Sequence, residues 1–327
     1  MALQATAETT GSAPPPPLAP TTVRRRRSWR TRLRHDWMLL ALAAPGAAVV
    51  VLFHYVPLLG NVIAFKDYQP YVGITNAPWV GLDNFRIIVT WDPAFRNALL
   101  NTVIIALIQV LFVFPVPIAL ALVLNSLTSE RIKRVVQSVL YLPHFMSWVI
   151  VVAIFQQMLG GSGLLHTWLR TKGIEAPDII GNPDVFKELI TAQVIWKDTG
   201  WGTILFLAAL SRIDLSLYEA AAADGASRMR QLWHVTLPGL RSVIVLLLIL
   251  KLGDVLTVGF EQILLQQNAV GVDASEVLDT YVYNNSVIAS NWGESAAVGL
   301  VKGIIGVSLV LTANKIAHMF GERGVYQ

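Results

Sequence analysis

The sequence predicts an all-α membrane protein with six transmembrane helices, and three observations lead there. Apolar residues make up 54% of the 327 residues, charged residues only 14%, and the mean hydropathy is +0.55, which is unlike an ordinary water-soluble chain of this length. Six segments reach the roughly 20 mainly apolar residues that a bilayer-crossing helix needs: 37–59, 99–124, 135–158, 189–210, 240–262 and 295–317. Basic residues, finally, divide unevenly between the two sides those segments would define.

Residues 1–36 carry a PPPP run, many Ala and Thr, and arginines from Arg24 to Arg34. They read as a disordered, basic cytoplasmic tail ahead of one membrane domain over 37–327. Arginines followed by an apolar run and Ala-Pro-Gly-Ala resemble an export signal, but the run is long enough to span and five more segments follow, so it is read as the first span. In the second span Pro115 and Pro117, and in the third Pro143, are expected to bend the helix. The fourth is interrupted by Gln193, Lys197 and Asp198. The fifth carries Lys251, 13 residues beyond Pro238, which at about 1.5 Å per residue predicts a depth near the membrane centre. Asp254 follows within reach of an intrahelical ion pair, and Glu261 and Gln262 lie further out. A charge at such depth faces protein or water, so the pair is either a structural tie or part of a polar path.

With both termini inside, the inner side holds 16 basic residues: the seven arginines from Arg24 to Arg34, then Arg131, Lys133, Arg134, Arg212, Arg228, Arg230, Arg241, Lys315 and Arg323. The outer side holds seven, Lys66, Arg86, Arg96, Arg170, Lys172, Lys187 and Lys197, while the loop from Asp273 to Glu294 has four acidic residues and no Lys or Arg. The positive-inside rule therefore places the loop of about 211–240 in the cytoplasm. The stretches Asp67 to Ala98 and Gly160 to Glu188, rich in Gly, Pro and aromatic residues, are read as outer loops.

The net charge of +4 and pI near 9.4 are explained by topology and anionic headgroups without nucleic acid. No cysteine is present, the six histidines have no ligand spacing, and no Walker-type phosphate loop occurs, so no metal site is expected and ATP hydrolysis by this chain is not expected. Nor do His/Asp/Glu or Ser/Lys groups converge as a membrane-embedded enzyme would require. Amides such as Gln109 and indoles such as Trp196 suit a sugar's hydroxyl rim and C–H face, although bundles use the same amides as interhelical ties.

The stretch Tyr218–Leu240 is the most informative. Asp214 is positioned to cap a helix starting at Leu215, the alanines from Ala220 to Ala223 give propensity without bulk, and Gly225 suits a left-handed C-cap. Ser227 is positioned to cap a second short helix, and Pro238 to mark the next change of direction. A helix so bare of large side chains can approach a partner closely. An amphipathic loop resting on lipid is the alternative, which Arg228, Arg230, Trp233 and His234 would suit.

Glu219, Ala220 and Ala221, with Asp224 and Gly225 following and then Val235, Leu237 and Pro238, resemble the cytoplasmic loop of permease subunits of binding-protein-dependent ABC carbohydrate importers, the group of the maltose importer's permeases. The stretches from Arg134, Trp196, Leu278 and Ala313 resemble the branch importing complex or acidic oligosaccharides. The resemblance implies an ABC type I importer permease fold with coupling helices that seat in a groove on an ATPase subunit, Glu219 meeting a basic residue there. It further implies a second permease, expected to be a different chain, an ATPase dimer that uses ATP and Mg, and an extracellular or periplasmic sugar-binding protein. This chain would bind no cofactor, perform no catalysis and reside as a multi-pass protein in the bacterial cytoplasmic membrane. Leu215 where the family often has Pro, and Trp233 where Phe is common, are departures that spare the coupling residues. Gln109, Trp196, Lys251, Asp254 and Glu261 are candidates for the translocation path. The rival reading is an ion-coupled secondary carrier using Lys251, Asp254 and Glu261 as its relay.

Overall fold

The computed structural model describes residues 36–175, 178–322 and 324–325. The tail expected over 1–36 lies outside the described residues except for Asp36. The described part is helical and forms two bodies, one ending at Leu59 and the other starting at Gly60.

The first body contributes α1 (Trp37–Val50), which continues through a π turn at Val51–Tyr55 into Val56–Leu59. Its residues 37–59 are all exposed and, His54 apart, apolar, as suits a surface that meets lipid.

The second body is assembled from α2 (Pro93–Ile108), α3 (Pro115–Ser126), α4 (Glu130–Tyr141), α5 (Trp148–Leu159), α6 (Leu164–Thr171), α7 (Phe186–Leu210), α8 (Leu215–Ala223), α9 (Leu237–Gly253), α10 (Phe260–Val270), α11 (Leu278–Tyr283) and α12 (Trp292–Met319). Three buried clusters hold it together. Ile105, Phe186, Ile190 and Ile263 join α2, α7 and α10; Phe95, Ala98, Leu278 and Val298 join α2, α11 and α12; Ala121, Phe206, Leu210 and Leu240 join α3, α7 and α9. Between α7 and α10 a polar knot adds to the apolar packing: Gln262 and Gln266 donate to Gln193 Oε1 at 2.6 and 3.1 Å, and Gln193 returns a bond to Gln266 at 3.0 Å. Amides buried in this way tie helices together where lipid offers no hydrophobic gain.

Among the described residues, five helical stretches are long and apolar enough to cross a membrane: Trp37–Phe65, Pro93–Ser126, Trp148–Thr171, Arg228–Gly253 and Trp292–Met319. The fourth expected segment forms the 25-residue α7, yet Gln193, Lys197 and Asp198 leave it too polar to join that set. Lys197 lies in the interior of α7, not in an outer loop, whereas Lys187 is in its first turn; six of the seven outer basic residues and the same charge asymmetry remain.

Two expected spans are corrected. The segment 135–158 is not one helix: Pro143 ends α4, residues Leu142–Phe145 form a 3-10 turn, and Ser147, whose hydroxyl accepts from Ile150 N, restarts the chain as α5. The segment 240–262 likewise stops at Gly253 and resumes at Phe260, with Gly259 at φ +104° making the corner. Lys251 is therefore in the last turn of α9, not halfway along a span.

Pro115 and Pro117 do not break the second span. A π turn at Gln109–Val113 precedes Pro115, another at Leu232–Thr236 precedes Pro238, and that at Val51–Tyr55 precedes Pro57. A proline ring collides with the carbonyl four residues back and supplies no N–H; widening the preceding turn relieves the collision and re-pairs the backbone. Pro238 consequently does not end the helix, which runs on from Arg228 to Gly253. The second short helix expected from Ser227 is the beginning of the Arg228–Gly253 stretch, and Ser227 makes no side-chain cap bond.

Candidate functional site

The Asp214–Pro238 segment folds locally as its residues dictate. Asp214 accepts from Ser216 N at 2.9 Å and opens α8; that N–H, then the Ser216 hydroxyl, hold the carboxyl below its ordinary range. Gly225, at φ +75°, closes the helix: Ala226 N bonds Ala221 O and Gly225 N bonds Ala222 O, a Schellman motif. Nothing lies within 4 Å of where a Gly225 side chain would go, so backbone conformation alone requires glycine here.

This nine-residue helix has no buried residue, and an isolated helix of that length is marginal in water. Its caps and the Tyr218 hydroxyl, 3.0 Å from the Thr236 hydroxyl, hold it against the π turn at the base of α9. Glu219, Ala220, Asp224, Gly225 and Pro238 are exposed, and Ala221 and Leu237 are half-buried. Glu219 makes no hydrogen bond or ion pair among the described residues. Leu215 and Trp233 are 73% and 62% exposed, and a cavity of about 350 Å³ lies between this segment and the end of α3. Exposed apolar groups beside an unengaged carboxylate form a surface made to be covered.

Deeper in the bundle, the break between α4 and α5 is held by α7. Lys197 Nζ donates to His144 O at 2.7 Å and Met146 O at 2.8 Å, carbonyls that a broken helix leaves unpaired. The ammonium also lies 5.4 Å from the centre of the Trp148 ring. His144 Nδ1 is 2.9 Å from Asp198, and its ring stacks on Trp201 at 4.7 Å. Gly200 allows the approach, since a Cβ there would strike the Leu140 carbonyl. Two of the three polar residues that interrupt the fourth segment, Lys197 and Asp198, are thus the fastening of the third.

The candidate path residues do not converge. Gln109 is buried and donates to Val258 O at 3.4 Å across the α9–α10 corner. Trp196 is half-exposed against Phe155. Lys251 is half-buried, Asp254 caps the end of α9 in an exposed position, and Glu261 is exposed in the first turn of α10. The ion pairs among the described residues do not include Lys251 with Asp254. Asp254 instead lines a cavity of about 770 Å³ with Thr257, Asp279 and Lys302. There Lys302 of α12 pairs with Asp279 of α11, each about four-fifths buried. Sequence reasoning missed this pair because Asp279 was read as a loop residue; the signal available was Lys302 itself, a lone charge about 15 Å along the last span.

A helix-lined membrane bundle with a capped, exposed foot at the base of one span also matches known proteins. A family described as the binding-protein-dependent transport system inner membrane component matches residues 113–323. The chain is 44% identical over 322 residues to the polygalacturonan/rhamnogalacturonan transport system permease protein YteP of Bacillus subtilis, covering 98% of this chain and 99% of that one. It is 42% identical to protein LplB of the same organism, covering 91% and 94%. A bacterial alginate ABC transporter solved in complex with an alginate pentasaccharide-bound periplasmic protein contains a chain that superposes with a TM-score of 0.82 at 31% identity, covering 91% of this chain and 99% of that one. The extent of these matches, over the same helices that carry the foot and the broken spans, means that the chain belongs to the family of inner membrane components of binding-protein-dependent transport systems and has the permease fold of type I ABC importers.

Proposed function

We propose that this chain is one transmembrane subunit of an ATP-driven importer that moves an oligosaccharide across the cytoplasmic membrane by alternating access. The observation that carries the proposal is α8: a capped, unburied helix with a free Glu219, tied to the first turns of a membrane-crossing stretch. An ATPase subunit covers this surface, so its closure displaces α8 and swings α9. ATP and Mg belong to that partner, a second permease completes the pathway, and a soluble sugar-binding protein delivers the cargo. Both termini and the α8 loop lie in the cytoplasm, as the charge asymmetry supports.

The cargo in this reading is an oligosaccharide from a carboxylated polysaccharide. Support comes from the structural relatives at 31% identity, one of them described as importing the acidic polysaccharide alginate. The cavity beside Asp254, Asp279 and Lys302 forms this chain's wall of the path: a charged pair about halfway through a bilayer requires protein or water in front of it.

Uptake into proteoliposomes containing this chain, its second permease and the ATPase tests the reading. Uptake should require internal ATP and external binding protein, be stopped by vanadate and survive a protonophore. Uptake that follows a proton gradient without ATPase would install the secondary carrier instead.

A further inference from the structure

Nine described residues have a left-handed backbone, and seven of them are glycines; the exceptions are Trp91 at φ 52° and Ser290 at φ 64°. Each occupies the position after a helix end that glycine normally takes. Asp92 N bonds Ile87 O around Trp91, and Asn291 N bonds Asn285 O around Ser290. A left-handed conformation is costly for any side chain with a Cβ, and a bulky one is a true outlier there. The indole does not recover that cost within the chain, because Trp91 is 56% exposed.

Residues next to both exceptions line one cavity: Thr90 and Asp92 on either side of Trp91, and Asn291 after Ser290. It measures about 460 Å³, and Asp83, Arg86, Asp92, Asn285, Asn291 and Glu294 are among the residues that line it. Three carboxylates and one guanidinium make it anionic, and such a polar hollow opens to water, not lipid. It lies at the start of α12. The far end of that 28-residue helix, roughly 42 Å away along its axis, is the end at which Arg241, just past Pro238, pairs with Glu322 at 2.8 Å. The cavity and α8 are therefore at opposite ends of the span.

We propose that the rim carrying Trp91 and Ser290 is the seat of the soluble sugar-binding protein on the outer face, with Trp91 as the aromatic anchor and the acidic hollow receiving Lys or Arg side chains. This rests on the importer reading above, and the occupant fits on two counts. A buried indole at the centre of an interface gives back what its strained backbone costs, and complementary charge guides a soluble partner to a membrane-bound one. The alginate transporter that resembles this chain was itself captured with a periplasmic protein.

The test uses the full transporter in nanodiscs, titrated with the soluble sugar-binding protein of the same transport system and read as ATPase stimulation. Trp91→Gly keeps the left-handed turn without strain, so Tm and unstimulated ATPase activity should hold or rise while the half-maximal binding-protein concentration increases at least tenfold. Glu294→Lys should raise that concentration several-fold and flatten its salt dependence. An unchanged concentration in both variants overturns the seat, as does a photo-crosslinker at position 91 that labels lipid alone, which would assign Trp91 to the interfacial belt. A fall in Tm for Trp91→Gly overturns the uncompensated-strain argument. If no binding protein stimulates the wild-type transporter, the importer reading fails instead.

Discussion

The Tyr218 hydroxyl lies 3.0 Å from the Thr236 hydroxyl, and this is the side-chain bond that joins the exposed foot α8 to the π turn at the base of α9. A force applied to α8 passes to the span through this contact and through the chain itself. Removing it with Tyr218→Phe leaves the ring's packing intact and takes away one bond with a net worth of about 1 kcal/mol. Uptake per ATP hydrolysed should drop about fivefold while ATPase retention on purification is unchanged.

Charge at the foot should matter to the partner and not to the fold. Glu219 is exposed and unengaged among the described residues, so Glu219→Lys should insert and purify normally. Retention of the ATPase subunit should fall by about tenfold or more, the range expected when an interface charge is reversed. Normal retention and transport in that variant would remove Glu219 from the coupling role.

The ends of α8 can be tested separately. Gly225→Ala meets no steric contact but must adopt φ +75°, at a cost of about 1–2 kcal/mol; faster proteolysis within 211–240 is the expected sign. At the other end, the Asp214 carboxyl has a lowered pKa. The cap is therefore fully present above the ordinary carboxylate range and is lost as pH falls through the lowered value. Amide exchange at Ser216 should stay slow through mild acid and accelerate only below it, and Asp214→Ala should abolish that dependence.

Lys197 holds together the break in the third span. Lys197→Met removes charged bonds to two part-buried carbonyls and leaves both without that partner, for a loss of about 2 kcal/mol. A lowered Tm in detergent should appear with unchanged ATPase binding, since α8 is not touched.

For the buried pair, neutralising one member strands the other. Lys302→Met or Asp279→Asn alone should lower stability by about 3 kcal/mol, whereas Lys302→Met with Asp279→Leu should recover most of it. Transport by the recovered double variant then reports on the path. Unimpaired uptake would reduce Asp279 and Lys302 to a structural tie.

The membrane class and the caps of α8 were legible because both are local. Apolar length defines a span, and Asp214, the alanines and Gly225 dictate a short helix irrespective of surroundings. The boundaries of the third and fifth spans were not, because hydropathy averages across a break. Pro143 and Gly259 are single residues within long apolar runs. Lys197 appeared to interrupt one span, although its role is visible only once the carbonyls of another are beside it. Lys302 and Asp279 are 23 residues apart, with the turn between α11 and α12 intervening, and no period in the sequence brings them together. The foot needed only near neighbours; the cavity needed the fold.

The widened turns ahead of Pro57, Pro115 and Pro238 also set azimuth. Each holds one residue more than α geometry would, so everything beyond is rotated by about 100° relative to an unbroken helix. In the Arg228–Gly253 stretch, that offset decides which side of α9 meets α12 and which looks into the cavity beside Asp254. The phase between the foot and the cavity wall is thus fixed by a single surplus residue upstream of Pro238.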